Sequence, residues 1–285
     1  MYELIIQGEY GNNRLTFGMG SPFQIIDIDG LAPMTATINM MQLAGHQGMK
    51  FENYRVNPRT INLAFAIDYD AESSRLDAYK VLRLGSRLII TYRSELRDVT
   101  IIGYVQSVNV SHFAKKQRVT AVIVCPYPNW KGHIKSAQIG QTTEALLHFP
   151  LSFPQGSPIP LGSMSGGAYT SIENDGDVQI PIEEIALHIT GTVSTITLED
   201  YYGKTFTITG TYQAGDTIEI MNNGEYKYLL LYRNGVETNI FNRIGLDSEW
   251  LELPLYGNAY KITVGVGSVS SVTGSIYYRN EYEGV

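Results

Sequence analysis

Few residues in this 285-residue chain stand where they could do chemistry. The five histidines, His46, His112, His133, His148 and His188, never fall within four residues of one another, so no local pair is set for zinc. Cys125 is the single cysteine, which excludes an intrachain disulfide and a cysteine-rich metal site. It alternates with Ile123 and Ala121, and that spacing predicts a small buried residue. Asp27 and Asp29 are two apart, so a strand would turn both to one side, as a glycosidase pair flanking a bond requires. Asp29 precedes Gly30, however, and a turn is the simpler reading. Glu183 and Glu184 are adjacent, so on a strand they face opposite ways. Asn174-Asp175-Gly176-Asp177 offers oxygens for calcium but lacks the distal bidentate glutamate, and reads as an Asx-rich turn. Gly162-Ser163-Met164-Ser165-Gly166 lacks a central serine and lies in a connector, so it is no nucleophile elbow. A phosphate-cradling loop and a dinucleotide fingerprint are missing. The expectation is no catalytic residue, no cofactor and no metal: a protein that is not an enzyme.

Aromatic residues are the remaining chemical feature. Tyr226, Tyr228, Tyr232, Trp250, Tyr256, Tyr260, Tyr277 and Tyr278 crowd the second half. Exposed rings can act as stacking platforms for sugars, which makes Trp250, Tyr256 and Tyr260 candidates for saccharide contact. The plainer reading is that tyrosine fills strands in a charge-poor sandwich.

The elements that would hold these residues are mostly strands. Twenty tyrosines, 28 glycines and a charged fraction of 17% favour strands and turns, and 44% hydrophobic residues suffice for a core. Residues 1–132 carry 14 basic and 11 acidic residues; residues 133–285 carry 7 and 17. That asymmetry predicts two units, and the net charge of −7 lacks the basic footprint of a nucleic-acid binder. The start, Met-Tyr-Glu-Leu-Ile-Ile-Gln-Gly-Glu, has no basic n-region, and no stretch approaches ~18 apolar residues. The expectation is a product folded in a cytoplasm, with no membrane segment.

Ile61, Leu63, Phe65 and Ile67 share one face of a period-two run. Residues 71–84 read as the one helix, with Asp70 at the N-cap, Gly85 beyond the C-terminus, and Leu76, Tyr79 and Leu82 on one side. Residues 41–58 read as a long loop. Residues 152–171 hold three prolines, four glycines and five serines and read as a connector. Beyond it Ile185, Leu187 and Ile189, then Ile196 and Leu198, Phe206 and Ile208, and Ile218 and Ile220 alternate, and Asn234-Gly235 marks a tight hairpin. Strands at ~8–12-residue spacing indicate a β-sandwich.

These markers, in order, resemble the distal tail protein family of long-tailed, siphovirus-type bacteriophages. In the first half they are Ile25-Ile26-Asp27-Ile28-Asp29-Gly30, then Gly48, then Arg59-Thr60-Ile61-Asn62-Leu63, one helix, and a sheet ending in Cys125-Pro-Tyr-Pro. In the second half they are Ile172-Glu173-Asn174-Asp175-Gly176-Asp177, Pro181-Ile182, Gly215-Asp216-Thr217-Ile218-Glu219-Ile220, and Trp250, Leu253, Gly257 and Asn258. The chain departs from the family where Gly257 and Asn258 are adjacent and where Met221-Asn222-Asn223-Gly224 lacks an aspartate.

The resemblance implies a mainly β protein. Residues 1–132 would be a ring-forming belt domain with one α-helix. Residues 133–285, with the connector at 152–171, would be a sandwich similar to galectins and carbohydrate-binding modules. It implies a homohexameric ring at the end of a tail tube, joining the tube protein to the tail tip, the tail-associated lysin and receptor-binding proteins, with DNA passing unrecognised through the channel. The location implied is the virion tail tip, assembled in the host cytoplasm. Arg55 and Arg59 are the expected ring-interface residues. The alternatives are an adhesion module for cell-wall saccharides, a polysaccharide-cleaving enzyme, and the tube protein itself, which the acidic second half disfavours.

Overall fold

The computed structural model describes residues 2–9, 13–45, 47–111, 116–145, 162–224 and 226–285. Two compact units divide the chain: Met1–His133 with Glu281–Val285, and Ile134–Asn280. The first change of unit falls between His133 and Ile134. The C-terminal Glu281–Val285, expected in the second unit, belongs to the first. Both boundaries fall inside strands, Trp130–Ile139 and Val272–Tyr282, where no change of composition marks them.

In the first unit the strands pair antiparallel in the order Arg14–Phe17, Glu3–Gly8, Arg87–Arg93, Asp98–Val110, Gln117–Cys125, Arg59–Ile67, Phe23–Asp29. Arg59–Ile67 is central because its period-two apolar face fits a pleated sheet. Ile61, Leu63, Phe65 and Ile67 are all buried, in unbroken register with Ile123, Ala121, Val119 and Gln117. Phe17 of the first strand in this order meets Phe23 of the last at 5.9 Å, and both rings touch Phe65, at 5.1 and 5.5 Å. The sheet therefore curls around its own core. Each such aromatic pair adds about 0.5–1.5 kcal/mol beyond the area it buries.

The helix spans Ala71–Val81. Asp70 occupies the N-cap position at φ 48°, but its side chain makes no cap hydrogen bond. The buried stripe is Ser74, Ala78 and Val81 with Leu82; Leu76 is exposed and Tyr79 only half-buried. Small Ser74 and Ala78 let the helix approach Glu3–Gly8, Arg14–Phe17 and Arg59–Ile67, which the larger residues would hold off. Gly85 is left-handed (φ 72°) but lies beyond the C-cap at Leu82.

The second unit is a sandwich. One sheet has the order Val272–Tyr282, Glu184–Ile189, Thr217–Asn222, Lys227–Arg233, Val236–Asn239. The other has Thr170–Ile172, Asn258–Val266, Val193–Asp200, Thr205–Tyr212. Leu187, Ile218, Ile220 and Leu229 from the first sheet share one core with Ile196, Leu198, Phe206, Ile208 and Ile262 from the second. Asn234 and Gly235 both have positive φ and join Arg233 to Val236, as a type I′ turn requires. Of the expected connector, residues 152–161 lie outside the described residues. Gly162–Gly166 is a strand paired with Gln141–Ala145, and Thr170–Ile172 is the edge strand of the second sheet. No described helix is long and apolar enough to cross a membrane.

Candidate functional site

Between the turn after Gly30 and the central strand, the chain runs out and back as a two-stranded ribbon. Ala36–Gln42 pairs antiparallel with Met49–Val56, where a loop was expected over 41–58. Every residue of both strands is exposed. The register sorts them into two faces. Ala36 opposes Val56, Ile38 opposes Tyr54, Met40 opposes Phe51 and Gln42 opposes Met49. The other face carries Thr37 opposite Arg55, Asn39 opposite Asn53 and Met41 opposite Lys50. Glu52 is the extra residue of a bulge between Asn39 and Met40, which keeps Phe51 on the apolar side.

The two faces differ in how they are satisfied. On the polar face, Asn39 Nδ2 donates to Asn53 Oδ1 at 2.6 Å, and Thr37 Oγ1 donates to Asn57 Oδ1 at 3.2 Å. On the apolar face Ile38, Met40, Met49, Phe51 and Tyr54 are each 54–64% exposed. A two-stranded hairpin alone is marginal in water. Covering what each of these side chains still exposes is worth about 1–2 kcal/mol, so this face gains from a partner.

Arg55 stands on the polar face of the ribbon, exposed. Arg59 does not reach the surface, which corrects its assignment to an interface. Its side chain is fully buried and spends its guanidinium on backbone carbonyls: Nε on Pro128 at 2.6 Å, Nη1 on Gly30 and on Ala32 (2.8 Å), and Nη2 on Glu283 at 2.5 Å. It also lies 5.7 Å from the centre of the Trp130 ring. Burial lowers its pKa from the usual arginine value. The Asp29-Gly30 turn and Arg59, two separate markers in the sequence, are thus one arrangement. Gly30 has φ 91°, and a Cβ there would collide with the Thr60 carbonyl.

The saccharide candidates separate as well. Tyr260 is fully buried and donates its hydroxyl to the Glu252 carbonyl at 2.6 Å, so it cannot touch a sugar. Trp250 packs half-buried against Phe206 (5.0 Å) with Lys227 Nζ 4.9 Å over its ring. Tyr256 is 93% exposed.

Among the described residues no arrangement of acids converges on a substrate position. Asp27 and Asp29 are both exposed, and Asp29 Oδ1 accepts the Gly30 N–H at 2.8 Å, as its turn reading requires. Asn174 is buried and donates to the carbonyls of Val178, Leu253 and Pro254 while its Oδ1 caps Gly176 N–H, so the Asn174–Asp177 segment is a structural turn. Among the described residues no group of three His, Cys, Asp or Glu side chains could hold a metal. Cys125 is buried beside Arg59, and burial pushes its thiol up to about 12. His46, His112 and His148 lie outside the described residues.

The apolar side chains of the ribbon were not among the sequence candidates. Their signal was present as alternation, Ile38 and Met40 then Met49 and Phe51, interrupted by the Gly45–Gly48 tip and by the Glu52 bulge.

The fold matches two solved phage structures along nearly its whole length. One is the crystal structure of the SPP1 Dit protein, described as a paradigm of the hub adsorption apparatus in phages that infect Gram-positive bacteria (TM-score 0.68, 13% identity, 97% of this chain and 98% of that chain). The other is the phage P2 baseplate in its activated conformation with calcium (TM-score 0.50, 11% identity, 100% of both chains). No family model matches the chain, and no curated protein does. The mainly β fold implied by the resemblance to distal tail proteins is the fold observed.

Proposed function

We propose that this chain is a distal tail protein, the hub at the end of a phage tail. Six copies close into a ring around a channel that passes DNA without reading it. The ring joins the tail tube to the tail tip, the lytic tail component and the receptor-binding proteins, at the tip of the virion, after assembly in the host cytoplasm. The protein acts through its surfaces and has no reacting centre.

One observation carries this reading: the ribbon at residues 36–56, with an apolar face exposed along its whole length. A monomer has no use for it, and in a ring each ribbon would lie on the next copy. Such a head-to-tail contact uses two different patches and closes only if the rotation per copy divides the circle. The likeness in fold to a hub protein and a baseplate component supports the same reading.

Mass measurement of the full chain in solution, combined with negative-stain imaging, tests it. A six-fold annulus is the expected result. A chain that stays monomeric at high concentration, alone and with tube protein present, overturns it. Turbidity and reducing-sugar assays on cell walls are expected to show no turnover.

A further inference from the structure

A second surface, on the sandwich unit, is built from tyrosines that the hub reading does not use. Tyr169, Tyr201, Tyr202 and Tyr256 surround a cleft of about 470 Å³ beside the edge strand Thr170–Ile172. All four rings are exposed, from 39% at Tyr169 to 93% at Tyr256. They come from three separate stretches of chain, so no run of sequence announces them.

Three of the rings pack on one another, and the fourth stands on a constrained backbone. Tyr169 and Tyr201 meet edge to face at 5.9 Å, and Tyr201 and Tyr202 at 5.8 Å. Tyr169 Oη donates to Glu199 Oε1 at 2.8 Å while Lys261 Nζ lies 4.6 Å over its ring. Buried Asp200 holds the Tyr201-Tyr202 turn: its Oδ1 accepts the N–H groups of Tyr202 (2.9 Å) and Lys204 (2.8 Å), and its Oδ2 accepts Asn258 Nδ2 at 3.0 Å. Tyr256 sits at φ 69°, a backbone region that bulky side chains rarely enter. The next residue, Gly257, packs so closely that a Cβ would strike the Ile172 carbonyl. A large apolar ring is therefore held out in water by a rigid loop at a conformational cost, which is where a binding role is expected.

The chemistry of the lining selects the ligand. Ser171, Glu173 and Asn258 line the cleft beside the phenol groups, and these are groups that bind hydroxyls. Apart from the rings, its apolar lining is Ala259 and the buried Ile172, too little to anchor a peptide side chain. Nucleic-acid bases would stack on the same rings, but Glu173 lines the cleft and residues 133–285 carry 17 acidic against 7 basic residues, which repels phosphate. Flat aromatic faces with hydroxyl-binding groups and negative charge fit an uncharged polyol. We propose that this cleft binds a neutral saccharide of one or two units through stacking on Tyr256 and the Tyr201-Tyr202 pair. The site is independent of ring formation.

The test uses the full chain on an array of neutral hexose and N-acetylhexosamine oligosaccharides, two to four units long, followed by titration calorimetry with any that bind. At least one is expected to bind, and Tyr256→Ala and Tyr202→Ala should each weaken it tenfold or more. Tyr226→Ala, an exposed tyrosine outside the cleft, should bind as the parent does. Circular dichroism separates lost binding from lost folding. Binding to none of the sugars at millimolar concentration, or equal binding by the cleft variants and the parent, overturns the proposal. So does a phosphorylated glycan or oligonucleotide binding in preference to every neutral sugar.

Discussion

Arg59 and Glu283 stand 224 residues apart in sequence, yet Arg59 Nη2 donates to the Glu283 carbonyl at 2.5 Å. The same guanidinium holds Gly30, Ala32 and Pro128, so one buried cation gathers four carbonyls from three stretches of backbone within the first unit. Removing it leaves those carbonyls without their donors.

Arg59→Met is therefore expected to cost about 3 kcal/mol or more, because each buried carbonyl left without a donor costs about 1–3 kcal/mol. Arg59→Lys should recover only part of this, because an ammonium cannot reach four carbonyls in a planar fork. The urea midpoint of unfolding measures both. A loss under 1 kcal/mol in Arg59→Met would mean the network is not structural.

The ribbon should behave in the opposite way. Phe51→Asp and Ile38→Asp change exposed side chains, so the monomer is expected to lose under about 1 kcal/mol, mostly from cross-strand pairing. Assembly should be lost in both. Asn53→Ala on the polar face should leave assembly within a few-fold of the parent. Sedimentation velocity across a concentration series compares the three, and unaltered assembly in the aspartate variants would remove the ribbon from the interface.

Asp216 supplies a pH dependence. It is buried, accepts Arg233 Nε at 2.8 Å and Nη2 at 2.5 Å, and takes the Gln213 N–H at 2.8 Å. The Arg233 bond, above all, holds its carboxyl below the usual carboxylate range. A pKa depressed in the folded state gives stability that is complete above the unfolded value and lost as pH falls through the folded one. Thermal stability should therefore fall below about pH 4 more steeply in the parent than in Asp216→Asn. That variant should also lose about 1–3 kcal/mol at pH 7. Melting curves from pH 7 to pH 3 decide it, and parallel curves would contradict it.

Cys125 should be chemically silent in the native protein. Its thiol is buried and raised to about 12, so thiolate is scarce at pH 8. A thiol-reactive dye is expected to label the chain only in denaturant. Rapid labelling of the native protein would show that the strand around Cys125 opens.

Local pattern carried much of the fold. Ile61 to Ile67 and Ile185 to Ile189 alternate because one face of each strand is buried, and that constraint is written residue by residue. Asn234-Gly235 specified its turn because two positive φ values admit few other residues. The helix is visible, but the shared side of Leu76, Tyr79 and Leu82 is not its inner face: Leu82 is buried and Leu76 exposed, and the close-packed helix buries its small residues, Ser74 and Ala78. The ribbon was missed for a different reason. Its alternating apolar residues have no core to face within the chain, and a glycine-rich tip and a bulge interrupt the period.

The sequence by itself determined the class of the protein: two β-rich units, one helix, one isolated cysteine and no motif for catalysis. Tertiary structure alone decided which polar and aromatic residues are available. It buried Arg59 and Tyr260, left Tyr256 and Phe51 in water, and brought Tyr169 to Tyr201 across the sheet edge. Periodicity reports the side of a strand on which a residue lies, because neighbouring side chains alternate. What covers that side depends on chain packed from tens or hundreds of residues away, and no local spacing encodes it.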